Sequence, residues 1–235
     1  MPANEQLEIP CSRWRPLEMV VAGDWACFTR PEMKVERVSY PVMTPSAARG
    51  ILEAIYWARD VVWKVQEIWV LKPVRWFSIV RSELTKRQSA HKALTFWRKT
   101  GGNEFARGSS TFRHTLGLRD VEYLLRADVY SRGGAVERTV AIRDQFRRRL
   151  ERGAYFHHPY LGCREFTARF WPSSGVEVLI SWSESLGLML YDMQYSASAE
   201  ALPVPSFFDA RIECGILKIT SDIVKANSYA PNISR

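Results

Sequence analysis

Apolar residues between 16 and 28 form a run interrupted at Gly23-Asp24, which predicts a strand over 17–22 and its continuation over 25–28. The next stretch, TRPEMKVERVSYPVM, carries Pro31 and Pro41 and reads as a loop. A helix should follow at once. Thr44 is a capping residue, Pro45 suits the first helical position, and Ala48, Ile51, Leu52 and Ile55 recur at helical spacing. Gly50 inside this helix costs roughly 1 kcal/mol against alanine, so close packing on a sheet is expected there. VVWKVQEIWVLKP (61–73) alternates and is rich in Val, Ile and Trp, the pattern of a strand that Pro73 stops.

Residues 75–115 are strongly basic, contain GG and GSS, and keep no sustained period; a hairpin and a mobile basic loop both remain open. RDVEYLLRADVYS (119–131) predicts a further strand, ending at Gly133-Gly134. A helix is expected over 136–153, with Ile142, Phe146 and Leu150 on one side and Gly153 as its stop. CREFTARFWP (163–172) alternates as another strand, and VEVLISW, LGLMLYDMQY and ARIECGILKIT are strand candidates beyond 173. The element order is the βαββαβ of an α+β, ferredoxin-like (RRM-like) fold. We therefore expect a ferredoxin-like domain over 16–172, with a basic insertion at 75–115, and a small C-terminal antiparallel β-sheet over 173–225.

Composition narrows the function classes. The chain has 235 residues, 46% hydrophobic, which suits one domain with an appendage and excludes global disorder. No apolar stretch approaches the ~18–20 residues of a membrane span, and MPANEQLEIP lacks the pattern of a secretory signal, so a cytoplasmic protein without a membrane partner is expected. The formal net charge is +8, and it is uneven: residues 1–170 hold 29 Lys+Arg against 18 Asp+Glu, while 171–235 hold 4 against 7. Arginine outnumbers lysine 25 to 8. Its planar fork grips phosphate bidentately and stacks on bases, which raises the prior for a nucleic-acid partner. Cys11, Cys27, Cys163 and Cys214 are scattered without a CxxC pair, so reduced thiols are expected, with no zinc site and no cofactor.

Arg30, Lys34, Arg37 and Tyr40 place cations beside an aromatic ring in one loop, a combination that suits an RNA backbone. Arg147, Arg148 and Arg149 spread over about 200° of a helix, so one or two of them can face one RNA and the rest must face elsewhere. Trp63 and Trp69 read as core fillers, Trp76 and Trp97 as stacking or partner-docking residues.

Specific blocks then carry a resemblance. GDWACFTRPEMKVERVSYPVMTPSAARGILEAIYW (23–57) resembles the N-terminal signature of the CRISPR-associated Cas-five family, in the variant of subtype I-C (the dvulg group) of the RAMP superfamily. HHPYLGCREF (157–166), LGLMLYDM (186–193) and FFDARIECGIL (207–217) match further blocks in the family's order, so the resemblance covers about residues 16–220. It implies a ferredoxin-like domain with a C-terminal sheet, and membership of Cascade, the crRNA-guided surveillance complex. The partners it implies are the 5′ handle of crRNA, the pre-crRNA repeat, the large and backbone subunits, and target DNA as a further candidate.

In subtype I-C the resemblance also implies metal-independent cutting of pre-crRNA, with the RNA's own 2′-hydroxyl as nucleophile and a cyclic phosphate as product. That chemistry needs a base, an acid and a cation. The family's tyrosine falls on Tyr56, whereas its Lys–His pair falls on Ala141 and Ile142, which neither move protons nor carry charge. Arg143 can contact phosphate but is a poor acid or base. His157 and His158 are candidates for the missing acid and base, against the plainer reading of a turn pair ahead of Pro159. The candidate RNA contacts are Arg30, Lys34, Arg37, Tyr40, Arg49, Arg143, Arg147 and Arg148. Two functions stay open: an endoribonuclease, and a crRNA-binding Cascade subunit that does not cut.

Overall fold

The computed structural model describes residues 15–33, 35–84, 89–100, 110–194 and 203–219. Its strands are β1 (Leu17–Ala26), β2 (Arg37–Val38), β3 (Val61–Val70), β4 (Trp76–Leu84), β5 (Ser110–Ser131), β6 (Arg169–Pro172), β7 (Glu184–Gln194), β8 (Val204–Glu213) and β9 (Ile216–Lys218). The helices among the described residues are α1 (Pro45–Ile55), α2 (Ala90–Thr100) and α3 (Val136–Glu151). The result is a mixed α/β fold with one large sheet and few helices. Strands run β6-β1-β5-β3-β9-β8-β7 side by side, with β2 and β4 on the outer half of β5. Neighbours on the main path pair antiparallel, and β2 runs parallel to β5.

Helix α1 begins where its signals place it: Ala47 N–H donates to Thr44 Oγ1 at 3.3 Å, and Pro45 stands at the first turn. Helices α1 and α3 touch each other and lie over β3, β5, β6 and β7. The predicted stripes fill the space between helices and sheet: Ile51, Leu52 and Ile55 from α1 meet Ile142, Phe146 and Leu150 from α3, all buried. Phe146 sits 4.7 Å, centroid to centroid, from Trp63. Burying a ring of that size stabilises the fold by about 1.5–3 kcal/mol. Trp63 is buried as expected, and Trp76 and Trp97 are exposed.

The structure departs from the sequence expectations at six segments. The first strand is continuous through Gly23-Asp24, because β1 pairs with β5 on both sides of Asp24 in one unbroken register, from Leu17 to Ala26. Residues 75–115 are neither a simple loop nor one hairpin: β4 pairs with 110–118, and α2 lies between the two strands in the chain. The strand expected at 119–131 is thus the inner half of a 22-residue strand whose outer half pairs with β4. Of 163–172 only β6 is strand, since an isolated bridge from Tyr160 to Thr167 turns the chain first. Finally, 176–182 forms no strand, and the described part of ARIECGILKIT turns from β8 into β9 as a hairpin rather than running as one strand. Cys214 (φ 49°) and Gly215 (φ 80°) both take left-handed backbone, which is what a two-residue turn between antiparallel strands requires. Among the described residues no helix is long and apolar enough to cross a membrane.

Candidate functional site

The end of α1 is tied down from three sides. Arg149 donates to the Ile55 carbonyl (2.7 Å), and the backbone N–H groups of Phe156 and His157 both donate to the Ala54 carbonyl (2.7 and 3.0 Å). These donors answer the carbonyls that the last helical turn leaves without intrahelical partners. Tyr56 caps the helix, and Trp63 Nε1 donates to its carbonyl at 3.0 Å. Its half-exposed ring has the Arg149 guanidinium 5.0 Å from the centroid. Arg138, on the first turn of α3, stands beside the Tyr56 hydroxyl and makes a two-pronged pair with Asp60, Nε to Oδ2 at 2.7 Å and Nη2 to Oδ1 at 3.1 Å. The hydrogen bond from Arg138 holds the Asp60 carboxyl below the usual carboxylate range.

The structure therefore gathers Tyr56, His157, Arg138 and Arg149 at one end of α1. His158 turns to the Pro159 carbonyl (Nδ1 to O, 2.9 Å) and rests against the Tyr155 ring (5.0 Å between centroids). Ala141 is exposed and Ile142 is fully buried in the core, so neither position carries an acid, a base or a cation. Among the described residues no group of three or more His, Cys, Asp or Glu is arranged to hold a metal ion.

The expected RNA-contact residues are more dispersed. Arg30 lies over the Tyr40 ring (4.6 Å) and pairs with Glu32 (3.8 Å). Tyr40 itself is buried, with its hydroxyl accepting from Leu190 N–H (3.3 Å), so it supports Arg30 from below and offers no face for stacking on a base. Lys34 lies outside the described residues. Arg37 is engaged by Glu83 (3.5 Å), Glu165 (3.7 Å) and the Cys163 sulfur (3.4 Å). Arg49 bridges Asp192 (2.7 Å) and Glu53 (3.7 Å), two carboxyls that burial pushes upward against its charge. Arg143 is also corrected: it is 3% exposed, pairs with Asp128 (3.5 Å) and donates to the Arg15 carbonyl, which leaves it no face toward RNA. Arg147 and Arg148 are exposed on α3, near Asp144. Cys27 and Cys163 are buried free thiols, Cys214 is exposed, and Cys11 lies outside the described residues.

A cleft of about 250 Å³ opens at the start of α1, lined by Thr44, Ser46, Gly50, Tyr160, Gly162 and Leu190. Gly50 was expected to be packed on a sheet. Instead, a Cβ added there meets nothing within 4 Å, so the glycine keeps the cleft wall open rather than admitting a neighbour. Gly50→Ala should raise the stability of the free protein by about 0.4–1 kcal/mol, measurable as a higher urea midpoint. If RNA lies in the cleft, the same variant binds it more weakly.

Arg138 and Arg149 are the site residues that sequence reading missed. They are 11 positions apart on α3, which at 100° per residue leaves them about 20° apart in direction and ~16 Å apart along the axis. That spacing is the signal that could have found them. What hid it was the absence of any rule for which side of α3 the end of α1 would occupy.

Comparison with known proteins gives a consistent result. A family model described as CRISPR-associated protein (Cas_Cas5) matches residues 17–218. The chain is 38% identical to a Thermus thermophilus protein named CRISPR pre-crRNA endoribonuclease Cas5d, over 88% of this chain and 92% of that one. It is also 38% identical to a Mannheimia succiniciproducens protein of the same name, over 86% and 94% of the two chains. Among solved structures, the fold is similar to one described as a CRISPR-associated protein, with a TM-score of 0.64 at 18% identity over 92% of this chain and 95% of that one.

Proposed function

The chain belongs to the CRISPR-associated Cas5 family, and from that membership we propose that it is the subtype I-C Cascade subunit that binds crRNA and cuts its precursor. The observation that carries the cutting is Tyr56, beside two guanidiniums at the end of α1, where the backbone N–H of His157 is anchored on the Ala54 carbonyl. The reaction attaches the 2′-oxygen to phosphorus and expels the 5′-oxygen, with Tyr56 and His157 as the groups able to move protons there. His158 supports the turn through Tyr155 and Pro159. Arg30, Arg37 and Lys34, with Arg49, Arg147 and Arg148 beyond them, are the residues we assign to the guide backbone; Arg37 and Arg49 would act there by exchanging a carboxylate partner for phosphate.

The β6-β1-β5-β3 order, with α1 and α3 in the crossovers, supports a ferredoxin-like domain over about 16–172, and β7 to β9 supply the C-terminal sheet of 173–225. The large and backbone Cascade subunits and target DNA are the partners this reading implies.

The test is to incubate the purified protein with its own repeat RNA in EDTA and map the products. A single cut at the base of the repeat hairpin supports the enzyme. Tight binding without a cut supports a second reading, a crRNA-holding subunit that leaves processing to another protein, which Ala141 and Ile142 favour. Either way, phosphate contacts release counterions. With six or more of them, affinity should fall by ~10³-fold or more between 50 and 200 mM salt. A salt-independent Kd in a filter-binding titration would contradict backbone gripping.

A further inference from the structure

The cation that the reaction needs is missing from positions 141 and 142, yet the same side of α3 carries one on each flank of them. We propose that Arg138 and Arg149 form a two-armed clamp that holds one RNA phosphodiester against Tyr56 and stabilises the charge of its transition state. The inference rests on the reading of the Tyr56 face as the RNA-cleaving site. Tyr56 reaches from the Arg149 guanidinium, 5.0 Å from its ring centroid, to Arg138 beside its hydroxyl. A phosphate arriving at that hydroxyl therefore meets the Arg138 guanidinium, with the Arg149 guanidinium over the face of the same ring.

Each arm is already oriented before RNA arrives. Asp60 takes two of the Arg138 N–H groups, and a guanidinium has five, so about three remain for phosphate. The Ile55 carbonyl takes one from Arg149. Oriented cations cost little reorganisation at the moment of reaction, which is where transition-state stabilisation comes from. Asp60 is then a positioning residue. Its backbone carbonyl also accepts from Arg132 N–H (2.8 Å), which ties it to the turn after β5.

The chemistry balances without a proton from either arginine. The O2′–P bond forms as the P–O5′ bond breaks, giving a 2′,3′-cyclic phosphate and a 5′-hydroxyl. The proton lost by the 2′-hydroxyl goes to a base, and O5′ gains one from an acid. Guanidinium, too weak an acid to give up a proton here, keeps all its protons and donates hydrogen bonds to the non-bridging oxygens.

Two measurements test the clamp. In single-turnover cleavage in EDTA, Arg138→Ala and Arg149→Ala should each slow the reaction by about 10²-fold. Arg138→Lys, which keeps charge but loses the fork, should recover only part of that. Asp60→Asn should lower the rate by roughly tenfold, and Arg138→Ala should erase the rate difference between the two phosphorothioate stereoisomers at the cut, which a structural role would not do. Arg149→Lys, still able to cap Ile55, and a melting curve for each variant separate catalysis from folding.

The second measurement needs no cleavage: repeat RNA with a 2′-deoxy nucleotide before the cut, probed by phosphate ethylation interference. Ethylating one phosphate at the hairpin base should weaken binding to the unaltered protein and make no difference to Arg138→Ala/Arg149→Ala. Interference unchanged in the double variant, or variants that cut at the unaltered rate, would overturn the clamp. Unaltered protein that never cuts but loses this interference in the double variant keeps the clamp and refutes the endoribonuclease reading.

Discussion

Tyr56→Phe is expected to slow metal-free cleavage of the repeat RNA by ~10²–10⁴-fold, the range for losing one positioned proton-transfer group. The substitution is clean because it deletes a single oxygen. The ring over which Arg149 lies is kept, and the bond from Trp63 goes to the Tyr56 carbonyl, which phenylalanine retains. RNA affinity should change by less than about tenfold, the most that one ordinary hydrogen bond contributes. The measurement is a single-turnover time course with radiolabelled repeat RNA at saturating protein in EDTA. A Phe variant that cuts as fast as the tyrosine would remove the hydroxyl from the mechanism and shift the proton transfers to His157. A variant that binds far more weakly would instead make Tyr56 a binding residue.

Asp128→Ala is expected to lower stability by about 3–5 kcal/mol, the usual consequence of removing one partner of a buried ion pair. The Asp128 and Arg143 side chains are 11% and 4% exposed. Burial already lowers the Arg143 pKa from its ordinary value, with Arg147 adding to the effect and Asp128 opposing it. Gln66 Nε2 also donates to Asp128 Oδ2, so alanine leaves one buried and one half-buried donor with less to bind. For a chain of this size the loss corresponds to a melting temperature lower by about 6–20 °C. Replacing both charges together, Asp128→Leu with Arg143→Met, should restore most of it, since an apolar pair removes the desolvation cost along with the attraction. If Asp128→Ala melts within a degree or two of the unaltered protein, Arg143 is not held as the structure places it.

Arg143 also illustrates how far residue patterns reach. Ile142, Phe146 and Leu150 recur every fourth position, and that period alone predicted a helix with a buried stripe. The arginine next to the stripe could have turned either to solvent or inward. Asp128, on a strand 15 positions earlier in the chain, decides it, and no local pattern links the two. Tyr40 is a second case: its neighbours suggest an exposed stacking ring, yet it is buried, with its hydroxyl bonded to the Leu190 N–H 150 positions later.

The sequence by itself determined α1 and α3, the apolar run of β1, the alternating strand β3, and the Cas-five family blocks, because each depends on residue spacing within one segment. The tertiary structure decided the rest. It drew β5 out to Ser110 by pairing it with β4, folded 210–218 into a hairpin, left Gly50 facing open space, and brought Arg138 and Arg149 to Tyr56. The physical reason is that helices and strands are selected by side-chain periods of a few residues. A charged site is assembled by contacts between segments whose separation along the chain leaves no such period to read.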